Sequence, residues 1–180
     1  MKMESYPFDW IFSNCDVIID CIANDFKTFL DKTQYIYISS GQCGHKKYHP
    51  LMFNHHNPLN TIDNYNYYIR CVDRFQKMLK CVKPKLFIMI FPNMTNINEN
   101  IKKNIINFNN KFSKYTNNYT LLVILHLQNK QNNNHIFTYI DNIHFLELHT
   151  KSSSGGVQFN NNNDNIYLDN IIQTKYKLST

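Results

Sequence analysis

Apolar residues in the first part of the chain recur at helical intervals. Val17, Ile18, Cys21, Ile22, Phe26 and Phe29 or Leu30 fall on one face of a 3.6-residue repeat, with Ser13 or Asn14 as a cap and Asp16 in the favourable first turn. The spacing predicts a helix ending near Asp31. QYIYIS (34–39) is rich in β-branched and aromatic residues and predicts a short strand. Residues 41–60 hold two glycines, two prolines and four of the eight histidines, the composition of a loop. Over 63–81, Tyr65, Tyr68, Ile69, Val72, Phe75 and Leu79 form an apolar stripe, with Arg70, Asp73, Arg74 and Lys77 opposite and Pro84 barring continuation.

The second half reads as strand, helix, strand. KLFIMIF (85–91) and YTLLVILHL (119–127) are continuous apolar runs, expected of strands covered on both faces, and Ile97, Ile101, Ile105, Phe108 and Phe112 make an amphipathic helix between them. That order predicts a right-handed parallel crossover. IFTYID (136–141) and IHFLELH (143–149) lie too close for an intervening helix and predict a hairpin or one kinked strand. KSSSGGVQFNNNND (151–164) reads as a loop, and 164–176 as a closing helix carrying Ile166, Leu168, Ile171 and Ile172. The asparagine-rich tracts 131–134 and 160–163 mark turns. The expected fold is α/β, an open, mainly parallel sheet with helices on its faces, as a single domain over 1–180.

Composition narrows the function classes. With 180 residues, 43% hydrophobic and 14% aromatic, the chain has the material for a core, and its 4 Gly and 5 Pro are too few for a disordered one. No apolar run reaches the length of a membrane span, and MKMESYPFDW lacks an apolar stretch with a cleavage site, so a cytoplasmic protein with no membrane partner is expected. The five cysteines (Cys15, Cys21, Cys43, Cys71 and Cys81) contain no C-x-x-C pair, as suits free thiols in a reducing compartment. The net charge of +6 could serve nucleic acid, but the lysines are scattered and no basic patch carries interleaved aromatics, which argues against that partner. Lysine does nearly all the cationic work, so the only two arginines, Arg70 and Arg74, stand out.

SYPFDWIFSN (5–14) packs Tyr6, Phe8, Trp10 and Phe12 around Pro7 and Asp9. Together with NDFKTFLD (24–31), FNHHN (53–57), YYIRCVDRF (67–75) and LFIMIF (86–91), it resembles a domain family of bacteria and large DNA viruses proposed to be papain-like cysteine peptidases. The resemblance covers roughly the first 90 residues, SYPFDW being its specific part, and GGVQFNNNNDNIYLDNII is similar to the family's closing segment. It implies a cysteine peptidase-like hydrolase. In the family pattern a strand, a Ser-Leu-Gly turn and a nucleophilic cysteine precede the aromatic motif. Only four residues precede Ser5, so the expectation is either a shortened member without that nucleophile or a chain whose start was cut away.

Cys15 is the substitute nucleophile, because a helix start would lower its thiol pKa, with His55 or His56 as base and an acid such as Asp9 among the candidate catalytic groups. Packing as a small hydrophobe is its bland alternative. Arg70 and Arg74, one turn apart, could hold a carboxylate or phosphate in bidentate fashion, or pair with Asp73, Asp63 or Asp9. Asp9, flanked by rings, must accept backbone N–H bonds or meet one of these arginines, making the aromatic turn a plug anchored to the arginine helix. Cys43, His45 and His49 match no zinc spacing, so a solvated loop and no metal or cofactor are expected. Gly155-Gly156 lacks a phosphate-loop pattern, and Ser152–Ser154 reads as a flexible turn. Two functions follow: an enzyme-like α/β domain of the peptidase type, or a non-catalytic binding module for a small anionic ligand or a partner protein.

Overall fold

The computed structural model describes residues 4–129, 132–156 and 158–177. Met1 to Met3 at the chain start, Gln131 in the first asparagine-rich tract and Val157 in the serine–glycine loop lie outside them. The chain forms two compact units, one comprising the segment up to Val82 with Asn107–Asn117, the other Lys83–Ile106 with Asn118 onward.

In the N-terminal unit, helix α1 (Cys15–Ala23) opens on Asn14, whose side chain accepts the Val17 N–H at 3.0 Å. It stops well short of Asp31, correcting the longer helix expected. Asp25 and Phe26 adopt left-handed backbone (φ 54 and 59), and their N–H groups return to Ile22 O at 3.2 Å and Cys21 O at 2.7 Å. This double bond is a Schellman closure without glycine. It buries Phe26 and Phe29 completely, so their apolar spacing served a reversal rather than another helical turn. Helix α2 (Ile62–Lys80), capped by Thr61, buries Tyr68, Cys71, Val72, Phe75 and Leu79 as its stripe predicts. Phe8, Phe26, Phe29 and Phe75 meet at centroid distances of 5.5–6.4 Å, mostly edge to face. Such pairs add about 0.5–1.5 kcal/mol each beyond the area they bury.

Residues 41–60 are not one loop. With β1 (Tyr35–Ser39), β2 (Gln42–His45) and β3 (His49–Phe53) form a three-stranded antiparallel sheet. Gly44 permits this: a Cβ there would collide with the Pro50 carbonyl. Ile11 bridges to Phe53, and Phe12 N–H donates to Met52 O at 3.0 Å, so the aromatic turn adds a short rung to β3.

The C-terminal unit carries a four-stranded sheet in the order β4-β5-β7-β6. Strand β4 (Lys85–Met94) pairs parallel with β5 (Tyr119–Gln128), the connection running through helix α3 (Glu99–Phe112); β5 pairs parallel with β7 (Ile143–Thr150). Strand β6 (Asn134–Ile140) is the antiparallel edge, joined to β7 by a tight turn with Asp141 left-handed (φ 51). Helix α4 (Asn162–Tyr176) lays Leu168, Ile171 and Ile172 against Leu122, Ile124, Leu146 and Leu148 of the sheet. The mainly parallel α/β class stands. Only β5 is fully covered, however: β4 is the other edge, with Ile88 52% exposed, so two similar apolar runs occupy different places.

Candidate functional site

Of the residues expected from the sequence, Asp9 lies in the aromatic turn and His55 and Arg74 touch it, but they do not form one constellation with Cys15, His56 and Arg70. Asp9 is exposed, and its carboxylate accepts the Tyr6 N–H at 2.8 Å, closing its own turn. Although the residue is exposed, the surrounding groups partly desolvate its carboxyl and raise its pKa above the ordinary carboxylate value, against the opposing pull of that N–H and of the Arg74 charge. No ion pair joins Asp9 to either arginine among the described residues. The anchor to α2 is instead a backbone one: Arg74 Nε donates to Ser5 O at 3.0 Å, Nη2 donates to the same oxygen, and Nη2 also reaches Cys71 Sγ at 3.2 Å. Arg70 is exposed and shares none of these contacts, so of the two guanidiniums only Arg74 is engaged with the Ser5 carbonyl.

Cys15 is the first residue of α1, as expected, yet its thiol is pushed up to about 11. Burial is the larger cause and the neighbouring Asp16 the second, and together they outweigh the favourable helix end. No imidazole is hydrogen-bonded to it among the described residues. His55 lies edge-on to Trp10 at 5.2 Å, and His56 leans on Tyr67 at 4.2 Å with its pKa lowered, first by burial and then by His55. The FNHHN segment has its structural centre at Asn57, which sequence reading missed: buried, it donates to Ser39 O at 2.9 Å and Gln42 O at 3.3 Å and accepts from Leu59 N–H at 2.9 Å. Cys43 and His45 are buried in β2, all five cysteines are free, and no three His, Cys, Asp or Glu residues are placed to hold a metal among the described residues.

A second site lies where the parallel strands of the C-terminal unit end. An open cleft of about 570 Å³ is lined by Asn93 and Met94 at the end of β4 with Thr95 just after it, by Leu127 and Gln128 at the end of β5 with Asn129 just after it, and by His149 from β7. In open α/β sheets this carboxyl edge is where ligands bind. Its β4 wall is set by Asn93, held left-handed at φ 55. The Asn93 amide reads the Ser154 backbone twice, accepting its N–H at 2.8 Å and donating to its carbonyl at 2.7 Å.

Beneath that wall, His126 is fully buried and its protonation follows from its partners. Nδ1 accepts the Asn93 N–H at 3.0 Å, so Nε2 carries the ring proton and its N–H donates a hydrogen bond to Thr150 Oγ1 at 2.9 Å. Thr150 in turn donates to Ser152 O at 2.7 Å. Burial holds the ring below the ordinary histidine value, as this neutral pattern requires. Asp164, also fully buried, accepts Ser152 N–H at 2.8 Å, Ser152 Oγ at 2.6 Å and Asn133 Nδ2 at 2.8 Å. Burial alone would raise its carboxyl, but these hydrogen bonds keep it below the ordinary carboxylate range. The serine run expected to be a flexible turn is thus tied down from both sides.

His149 and Glu147, two residues apart on one face of β7, are joined by a 2.8 Å contact between Nε2 and Oε1. The signal for this region was present in the chain as a lone histidine inside LLVILHL, the most apolar strand. No helix is long and apolar enough to cross a membrane among the described residues. Compared with family models, with curated proteins and with solved structures, the chain matches none.

Proposed function

We propose that this chain is a non-catalytic binding module, allied by its aromatic turn to the papain-like peptidase family, that takes a small polar ligand at the carboxyl edge of its parallel sheet. The observation that carries this reading is the strand-end cleft, whose amide-rich wall is built on a strained, doubly bonded Asn93. A ligand site differs from an ordinary loop junction in such preorganisation, since backbone strain persists only where surrounding bonds impose it. The arginine pair supplies no competing site, because Arg74 is committed to the Ser5 carbonyl. A thiol at about 11 without a bonded base is a poor nucleophile at neutral pH, which speaks for binding over peptidase chemistry.

Two measurements test the reading. Alkylation of Cys15 by iodoacetamide is expected to accelerate only toward high pH; a rate already on its plateau near neutrality would restore the peptidase. A polar fragment library screened by amide chemical shifts is expected to perturb residues 93–95, 127–129 and 149. Perturbations confined to other surfaces would refute the binding site.

A further inference from the structure

The Glu147–His149 pair decides what hydrogen-bonding character the cleft presents. A carboxylate only accepts, so with the imidazole neutral the proton lies on Nε2, facing Glu147 at 2.8 Å, and Nδ1 is left with its lone pair. His149 lines the cleft, where the remaining polar groups are the hydroxyl of Thr95 and the amides of Gln128 and Asn129, beside an apolar strip from Met94 and Leu127. No lysine or arginine is among the described lining residues. A phosphate or carboxylate would therefore find no lysine or arginine among them, and it would meet the lone pair of the neutral imidazole. A ligand bearing several hydroxyl groups on a compact carbon frame would find acceptors in His149 Nδ1 and in Gln128 Oε1, whose Nε2 already donates to Lys151 O at 3.3 Å, together with the Thr95 hydroxyl and an apolar strip for its C–H face.

We infer that the cleft is a site for a neutral polyhydroxyl ligand of the sugar or polyol class, with His149 Nδ1 accepting a ligand hydroxyl and Glu147 acting as the positioning residue that fixes the imidazole tautomer. The inference rests on the binding reading above and names its ligand class. Glu147 acts only through His149. Its replacement by glutamine keeps the size but removes the acceptor-only partner: the amide can turn either its oxygen or its N–H to Nε2, so the Nε2–H form is no longer enforced and the ring samples the Nδ1–H form as well.

The test uses the whole chain with D-glucose and D-ribose as probes and inorganic phosphate as the anionic arm. Long-range proton–nitrogen spectra of the histidine rings report the tautomer without any ligand. His149 is expected to show the Nε2–H form in the parent and a shift toward Nδ1–H in Glu147→Gln. Either sugar is expected to shift the His149 ring and the amides of 93–95 and 127–129, and binding should weaken about tenfold or more in His149→Phe, the loss of one well-made hydrogen bond to a polarised group, and by less in Glu147→Gln. Phosphate should leave the cleft unmoved. An Nδ1–H tautomer in the parent, or phosphate binding where sugars do not, overturns the polyhydroxyl assignment while leaving a binding cleft in place. A cleft that polar fragments perturb and both sugars ignore does the same. If neither fragments nor sugars perturb it, the binding reading falls as well.

Discussion

Replacing Asp164 by asparagine tests whether the segment after β7 is held by a buried carboxylate. Its Oδ2 accepts both the N–H and the hydroxyl of Ser152, at 2.8 and 2.6 Å, and its Oδ1 accepts Asn133 Nδ2 at 2.8 Å. Asparagine has the same shape but offers one acceptor and one donor in place of two acceptors. Turned toward Ser152, the new NH2 meets an N–H. Turned toward Asn133, it forces that amide to flip, and the flip strands the Lys151 N–H, which now donates to Asn133 Oδ1 at 3.0 Å. One bond is lost in either orientation. Hydrogen bonds to a charged group contribute about 1.5–3 kcal/mol, so Asp164→Asn is expected to cost about 2–3 kcal/mol. Urea unfolding measures the loss, and amide exchange should show Ser152 and Asn161, whose N–H donates to Ser152 Oγ at 3.0 Å, losing protection first. The pH dependence supplies a second check. The folded carboxyl lies below its ordinary value, so its contribution is complete above the unfolded pKa of about 3.9 and is lost as pH falls through the folded value. Parent and variant curves should therefore converge in acid. A loss under about 0.5 kcal/mol, or a gap unchanged at low pH, would refute the reasoning.

Two further substitutions probe the same logic elsewhere. His126 is held below its ordinary value, chiefly by burial, so as pH falls the unfolded chain binds the proton first and stability declines from about pH 6.5 down to the folded value. His45, His56 and His144 are shifted the same way, so the expected result is a shallower slope in His126→Phe than in the parent between neutral and mildly acidic pH, read by thermal melts; equal slopes would exclude His126 as the source. Arg74→Lys keeps the charge but cannot place two N–H groups on the Ser5 carbonyl, and is expected to lose about 1 kcal/mol while Arg70→Lys loses nothing measurable. Equal losses in urea titrations would contradict the backbone anchor.

Periodicity made α2 legible because one of its faces is buried, a continuous apolar run did the same for β5, and the closeness of the two runs at 136–149 left a hairpin or one kinked strand, of which the hairpin forms. Periodicity failed where a close backbone approach replaces side-chain alternation: β2 and β3 are short, carry Gly44 and Pro50, and look like loop by composition, although Gly44 is what allows their contact. It overran at α1 because Phe26 and Phe29 keep helical spacing through a left-handed reversal. The aromatic turn is tied to the arginine helix through the Ser5 carbonyl rather than Asp9, whose carboxylate accepts the Tyr6 N–H of its own turn. The strand-end cleft was out of reach for a different reason. Asn93, His126, His149 and Asp164 are far apart in the chain, and only the order β4-β5-β7 brings the first three to one edge. His126 alone could have announced it. A neutral imidazole within an apolar strand must find a donor and an acceptor in the protein, and near a strand's carboxyl end those partners come from the adjoining loops. The polar break at His126 in the buried run 121–126 therefore marks the edge where the strand and its adjoining loops exchange hydrogen bonds.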